Sequence, residues 1–290
     1  MSVVDDVREW EAAGRRIRVA GRSVWVLDEP AIDDRGADPL LVLHGFPSCS
    51  FDWRHVLDTF RAQRRVIAPD FLGFGLSDKP DVRYGMRMQA DVVEAVASEL
   101  GLSSVALVTH DMGDTVGGEL LARSIEGSLP FAVTNRVLTN GSIYIDMAHL
   151  TDGQQLLLSL PDEPTELVGP DGFKAGLAGT FSTNSAVADD ELDAQWLLAE
   201  RDGGHRMLPR TIRYIEDRRA EERRFTGAIE THPSPLSVVW GADDPIAVLE
   251  MTEQLRTARP DARITILDGV GHYPMIEAPT RFAEAVTAAL

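Results

Sequence analysis

The sequence predicts an α/β fold, with a mostly parallel central sheet flanked by helices, on three observations. Short apolar runs alternate with amphipathic helical patterns over most of the 290 residues. Four polar turns directly follow apolar runs, which gathers them at one rim of such a sheet. One long stretch in the second half carries only helical and loop patterns, as an insertion would.

The runs, in order, are RIRVA (16–20), SVWVLD (23–28), PLLVLHG (39–45), RRVIAPD (64–70), SVALVTHD (104–111), RVLTNG (136–141), LSVVWGADD (236–244) and ARITILDG (262–269). From the third onward they are rich in β-branched residues and bounded by Gly, Pro or Asp, the pattern of strands buried on both faces. Helical periodicity covers 85–100, 115–126 and 279–290. Residues 142–231 fall between the sixth and seventh runs and hold Trp196, Leu197, Leu198, Ile212 and Tyr214 to bury. They are expected to fold as a helical cap inserted into a core made of 1–141 and 232–290.

A formal charge of −18 and a pI near 4.7 argue against nucleic acid or an anionic membrane as partner, because phosphates would be repelled. No run approaches the ~18 apolar residues of a membrane span. The acidic start, MSVVDDVREWEAAG, lacks the apolar centre of a secretory signal. A single cysteine, Cys49, excludes an internal disulfide and fits a cytoplasmic protein. No metal-ligand spacing, P-loop or dinucleotide fingerprint occurs, so no cofactor is expected; GFG within DFLGFGLSD (70–78) marks a loop.

The four turns are HGFP (44–47), THDMG (109–113), WGADDP (240–245) and GVGHYP (269–274). THDMG follows a buried strand and restarts as a helix. Asp111 stands at its tip, with the small residues Thr109 and Gly113 two positions to either side. An aspartate at such a junction also serves as an N-cap, and it is the company of the other three turns that favours chemistry. No G-x-S-x-G competes for the role. A carboxylate with a reference pKa of about 3.9 is already ionised at neutral pH and needs no base to become a nucleophile. Attack on an acyl carbon would give an anhydride. Attack on a saturated carbon gives an ordinary alkyl ester, which a histidine-activated water then hydrolyses. His272 is the expected base, and Asp244 the acid that orients it, with the adjacent Asp243 open as an alternative. The backbone N–H groups of Met112 and Phe46 would hold the tetrahedral oxyanion. His44 is expected to brace its loop and His110 to pack.

HGFPSCSFDW, DFLGFGLSDKP (70–80), THDMGDTV, WGADDP and GVGHYP together resemble the epoxide hydrolase and haloalkane dehalogenase branch of the α/β-hydrolase fold. TNGSIYIDMAHL (139–150) and RYIEDRRAEERRF (213–225) extend the likeness towards the mesoderm-specific transcript protein group. The resemblance covers about 38–290 and is weakest over 150–205. It implies a triad of Asp111, His272 and Asp244, a Phe46/Met112 oxyanion hole, and cap donors that activate the leaving group. Tyr214 sits where the resemblance places a cap tyrosine, which suits protonation of an alkoxide; His149 or Tyr144 is the candidate second donor. Haloalkane dehalogenases carry a tryptophan after the nucleophile and often an asparagine after HG. Met112 and Phe46 stand there instead, and Met112 has no side-chain donor. Fluoroacetate-type enzymes need arginines near the nucleophile, where Asp114 would repel the substrate carboxylate. RRAEERR (218–224) alternates in sign and is expected to be a solvated helix face. Trp53, Trp196 and Trp240 are expected in the core or pocket wall.

The expected function is cofactor-independent hydrolysis of a small apolar epoxide to a diol, by water, through an ester on Asp111. One alternative is halide displacement from a haloalkane-like substrate by the same triad, with Trp196 as donor. The other is a small-ligand binder that retains the triad without useful turnover.

Overall fold

The computed structural model describes residues 2–185 and 187–290. All eight runs form strands: β1 (Arg15–Val19), β2 (Arg22–Glu29), β3 (Leu40–Leu43), β4 (Val66–Pro69), β5 (Ser104–His110), β6 (Ala132–Thr139), β7 (Leu236–Gly241) and β8 (Arg263–Leu267). They make one sheet in the order β1-β2-β4-β3-β5-β6-β7-β8. β2 pairs antiparallel with both β1 and β4, and every other pairing is parallel. Ala20 and Gly21, both at positive φ, close the β1–β2 hairpin, as a two-residue connection between twisted strands requires.

β3, β4 and β7 are buried along their whole length, as the apolar runs led one to expect. β8 is not. It is the last strand of the sheet and its residues alternate in exposure, because one face meets solvent where no further layer covers it. The helix after β5 spans Met112–Ile125, starting three residues earlier than its apolar periodicity. A helix at Val3–Ala13 was not anticipated: its stripe is carried by Val3, Val7 and Trp10 alone among acids and arginines. Ser2 caps it, and Trp10 packs on Trp25 and Phe51 with ring centres 5.6 and 5.7 Å apart.

Between β6 and β7 the described residues hold helices and loops and no strand. The helices are Asp152–Ser159, Pro170–Ala178, Asp189–Glu200, Leu208–Thr211, Tyr214–Ala220 and Glu222–Thr231. The last lies directly on Met112–Ile125: a Cβ at Gly118 would stand 2.8 Å from the Phe225 carbonyl oxygen. Arg136 on β6 fixes the return to β7. Its buried guanidinium donates to the carbonyls of Ile229, His232 and Ser234 at 2.8, 3.0 and 3.1 Å. Among the described residues no helix is long and apolar enough to cross a membrane.

The strand order locates the site. From β3 the chain moves outward to β4, then crosses to β5 on the other side of β3. The connections leaving β3 and β5 therefore part at their carboxyl ends and leave a crevice there. HGFP and THDMG are the two segments at that point.

Candidate active site

Asp111 joins β5 to its helix with φ 48° and ψ −111°, a sharp turn that lifts the side chain out of both elements. The turn is possible only if the neighbouring backbone comes close. A Cβ at Gly113 would stand 2.5 Å from the Leu43 carbonyl oxygen, and one at Gly45 would stand 2.7 Å from Cβ of Asp111. Thr109 is large for its place, and Gly117 makes the room: a Cβ there would lie 3.0 Å from the threonine methyl.

The Asp111 carboxylate is 2% exposed and addressed from two sides. The Phe46 N–H donates to Oδ2 at 2.9 Å, and the Tyr214 hydroxyl donates to Oδ1 at 3.4 Å. The Met112 N–H opens the helix, where no carbonyl of its own helix can accept it. The loop carrying Phe46 is held on both flanks. His44 Nδ1 donates to Gly45 O at 2.9 Å while its Nε2 accepts from Phe71 N at 3.0 Å, and the Tyr273 hydroxyl donates to Phe46 O at 3.1 Å. His44 thus braces the loop, as expected. His110 Nε2 donates to the His272 carbonyl at 2.8 Å. Burial, helped by the neighbouring His272, holds its pKa down to about 3, so it stays neutral.

His272 Nδ1 lies 2.7 Å from Asp244 Oδ2. Asp244 also accepts from Asn140 Nδ2 at 2.8 Å and from the Ile246 and Ala247 N–H groups at 2.8 and 2.9 Å. Its orientation is therefore over-determined. Asp243 turns elsewhere and accepts from Ser182 Oγ and Asn184 Nδ2 at 2.9 and 3.0 Å. Burial alone would lower the His272 pKa, but the charge and hydrogen bond of Asp244, with the charges of Asp111 and Glu277, raise it to about 9. Nε2 of His272 has no protein partner among the described residues.

A cavity of about 190 Å³ has His272 and Phe46 on its lining and runs out between the helices Asp152–Ser159 and Pro170–Ala178. Asp111 and Tyr214 are not on that lining. Both are 2% exposed, and Asp111 lies behind Phe46, whose N–H it accepts.

Three residues expected to face substrate are placed otherwise. The Tyr144 hydroxyl is taken by Glu230 Oε1 at 2.7 Å. Trp196 packs between Phe173 and His205, with ring centres 5.6 and 5.4 Å away. His149 donates its backbone N–H to Ile246 O at 3.0 Å. None of the three lines the cavity. Tyr214 is thus the one expected side-chain donor that reaches the Asp111 carboxylate.

Arg218 corrects a second expectation. It is 1% exposed, not on a solvated face, because it follows Tyr214 by four residues and shares its side of the helix. Nε donates to Thr115 Oγ1 at 2.8 Å and Nη2 to the Asp111 carbonyl at 3.3 Å. Further along the run, Arg224 does pair with acids, Glu119 and Glu126. Asp114 is turned inward: it is 1% exposed, accepts from the Thr109 hydroxyl, and burial pushes its pKa well above the usual carboxylate value. Asn140 and Arg218 are the two site residues that motif spacing did not single out. Among the described residues no group of His, Cys, Asp or Glu is placed to hold a metal ion.

Residues 40–285 match the sequence pattern of the Alpha/beta hydrolase family. The chain belongs to the α/β-hydrolase family. LipZ of Mycobacterium tuberculosis is 41% identical to this α/β-hydrolase over 287 residues, 98% of each chain. The mesoderm-specific transcript homolog protein of Bos taurus is 32% identical over 289 residues, 96% of this chain and 86% of the relative. The solved structure of epoxide hydrolase CorEH superposes with a TM-score of 0.74 at 17% identity, covering 95% of this chain and 97% of that one. An aryl esterase and a haloalkane dehalogenase superpose about as well, so this likeness establishes the fold and not the reaction.

Proposed function

We propose that this α/β-hydrolase opens an epoxide to a diol through an ester on Asp111, with residues 142–231 serving as the cap over the site. One observation carries the proposal: a carboxylate occupies the elbow tip, with one oxygen on the Phe46 N–H and the other facing the Tyr214 hydroxyl. Oδ1 attacks an oxirane carbon, the ring C–O bond breaks, and Tyr214 gives its proton to the departing oxygen. Oδ2 becomes the ester carbonyl oxygen, already seated where the Phe46 and Met112 N–H groups would stabilise negative charge. His272 Nε2 then takes a proton from water and the hydroxide adds to the Asp111 carboxyl carbon. The tetrahedral intermediate collapses, releasing the diol and the carboxylate, and the proton on His272 returns to Tyr214 through solvent.

Charge links the two halves of this cycle. Burial first, then the negative charge of Asp111, hold the Tyr214 pKa well above its usual value, while Arg218 opposes them. The same Asp111 charge helps to raise His272. Alkylation neutralises Asp111. Tyr214 thereby becomes a stronger acid as it must release a proton, and the His272 pKa falls as it must accept one.

The test is a single turnover in 18-O water with a styrene oxide probe, followed by mass analysis of the Asp111 peptide. One labelled oxygen in that carboxylate is expected. Label found only in the diol would exclude the ester route. A haloalkane probe run in parallel reports the alternative leaving group through halide release.

A further inference from the structure

We infer that the cavity is the seat of a neutral alkyl chain on the substrate, running from the reacting carbon past Gly176 and Gly172 to a mouth formed by Leu156 and Leu167. This inference rests on the epoxide-opening proposal for the reacting end and goes beyond it by defining the remainder of the molecule. At the inner end is His272, whose Nε2 is unpartnered among the described residues on a side chain 2% exposed. At the outer end Leu156 and Leu167 are 49 and 58% exposed, although both belong to the lining. Large apolar side chains held open to water at the end of an apolar channel mark a surface that another apolar group covers.

The lining between those ends is mostly apolar, with polar side chains only at Thr151, Gln154, Thr180 and His272. Gly172 and Gly176, four apart on the helix Pro170–Ala178, both line the cavity, and a Cβ at either would meet nothing within 4 Å. Both glycines are exposed, so this edge of the cavity stays open to solvent where alanine would have been the better helix former. No lysine, arginine or carboxylate lines the channel. Exposed Asp152 and Asp171 each neighbour a lining glycine, Gly153 and Gly172, which sets negative charge at the rim. An anionic tail is disfavoured there, and a neutral hydrocarbon tail is not.

The experiment compares 1,2-epoxyalkanes from four to twelve carbons, and separately the binding of unreactive primary alkanols of the same lengths, for the wild type, Gly176→Leu and Gly176→Ala. Wild-type kcat/KM is expected to rise by about fourfold per methylene and then level off once the tail reaches the mouth. Alkanol affinity should follow the same trend. Gly176→Leu should reduce the decyl-to-butyl ratio of kcat/KM by tenfold or more and weaken decanol binding in parallel. Gly176→Ala, which suits a helix, should show a smaller effect in the same direction and covers the case in which leucine disturbs folding. Epoxide turnover or alkanol affinity that ignores chain length overturns the inference and leaves the ester proposal standing. Length-dependent alkanol binding without turnover of any epoxide supports the alkyl seat and removes the ester proposal instead.

Discussion

The guanidinium of Arg218 stands 5.0 Å from the centre of the Tyr214 ring and has no carboxylate partner among the described residues. A buried cation without an ion pair is costly, and here its charge is directed at the Asp111 backbone and at the phenol of Tyr214, the proposed proton donor. Arg218→Met is expected to lower kcat on the order of tenfold with KM little changed, a fraction of what a positioned acid supplies. Arg218→Lys should recover part of the loss, since it restores charge but not the planar fork. Steady-state kinetics across pH check this: a merely structural role would move thermal stability without altering the pH dependence of kcat.

Tyr214→Phe and His272→Gln should fail at different steps. Without the phenol proton the ring does not open, so kcat/KM falls by roughly 10² to 10⁴ and no adduct forms. Without the base the ring opens once and the ester persists. Intact-protein mass after mixing with an epoxide should show one substrate mass added to His272→Gln and none added to Tyr214→Phe.

Asp111→Asn should lower the titration midpoint of His272 from its raised position near 9, because it removes one of the charges that hold the proton. Histidine NMR resonances report it directly. A linked effect appears in folding. The folded-state pKa of His272 lies above the unfolded value of about 6.5, so its stabilising contribution is complete below that pH and is lost as pH rises through about 9. Urea unfolding of the wild type should show that loss between pH 6.5 and 9, and Asp111→Asn should flatten it.

Asp52 gives a stability prediction with the opposite ionic logic. It is buried, accepting from Ser48 Oγ at 2.5 Å and from Gln195 Nε2, on the helix Asp189–Glu200, at 2.8 Å, and burial raises its pKa to about 7. Its folded value exceeds the unfolded one near 3.8, so the penalty for the buried charge is absent below that and complete above about pH 7. Asp52→Asn should raise Tm by roughly 5 °C at pH 8 and change it little at pH 4, as measured by differential scanning calorimetry.

Much of this architecture was legible because its determinants are local. β3, β4 and β5 advertise themselves as apolar runs ending in polar turns, and the sheet order then brings Phe46, Asp111, Asp244 and His272 to one rim. What stayed hidden depends on helix facing and partner choice. Arg218 sits in a run of alternating charges that looks solvated, and only its four-residue offset from Tyr214 betrays a shared inward side. Asn140 could have been noticed as the asparagine of TNG directly after β6, at a strand end where a polar side chain can turn towards the rim. Tyr144 was a reasonable donor by position, but Glu230 on a helix more than eighty residues away claims its hydroxyl. Asp114 looks like an exposed charge in the sequence and is buried in the fold, where the loss of solvent raises its pKa.

The backbone at Asp111 has a consequence for anyone selecting variants. A left-handed φ at a non-glycine residue costs about 1–3 kcal/mol, and glycine would occupy the same conformation at little penalty. Under the proposed mechanism, glycine at this position would relieve that strain and abolish turnover. On that mechanism, breeding the protein for yield or heat tolerance alone would favour losing the nucleophile, so any such campaign needs turnover as a second criterion.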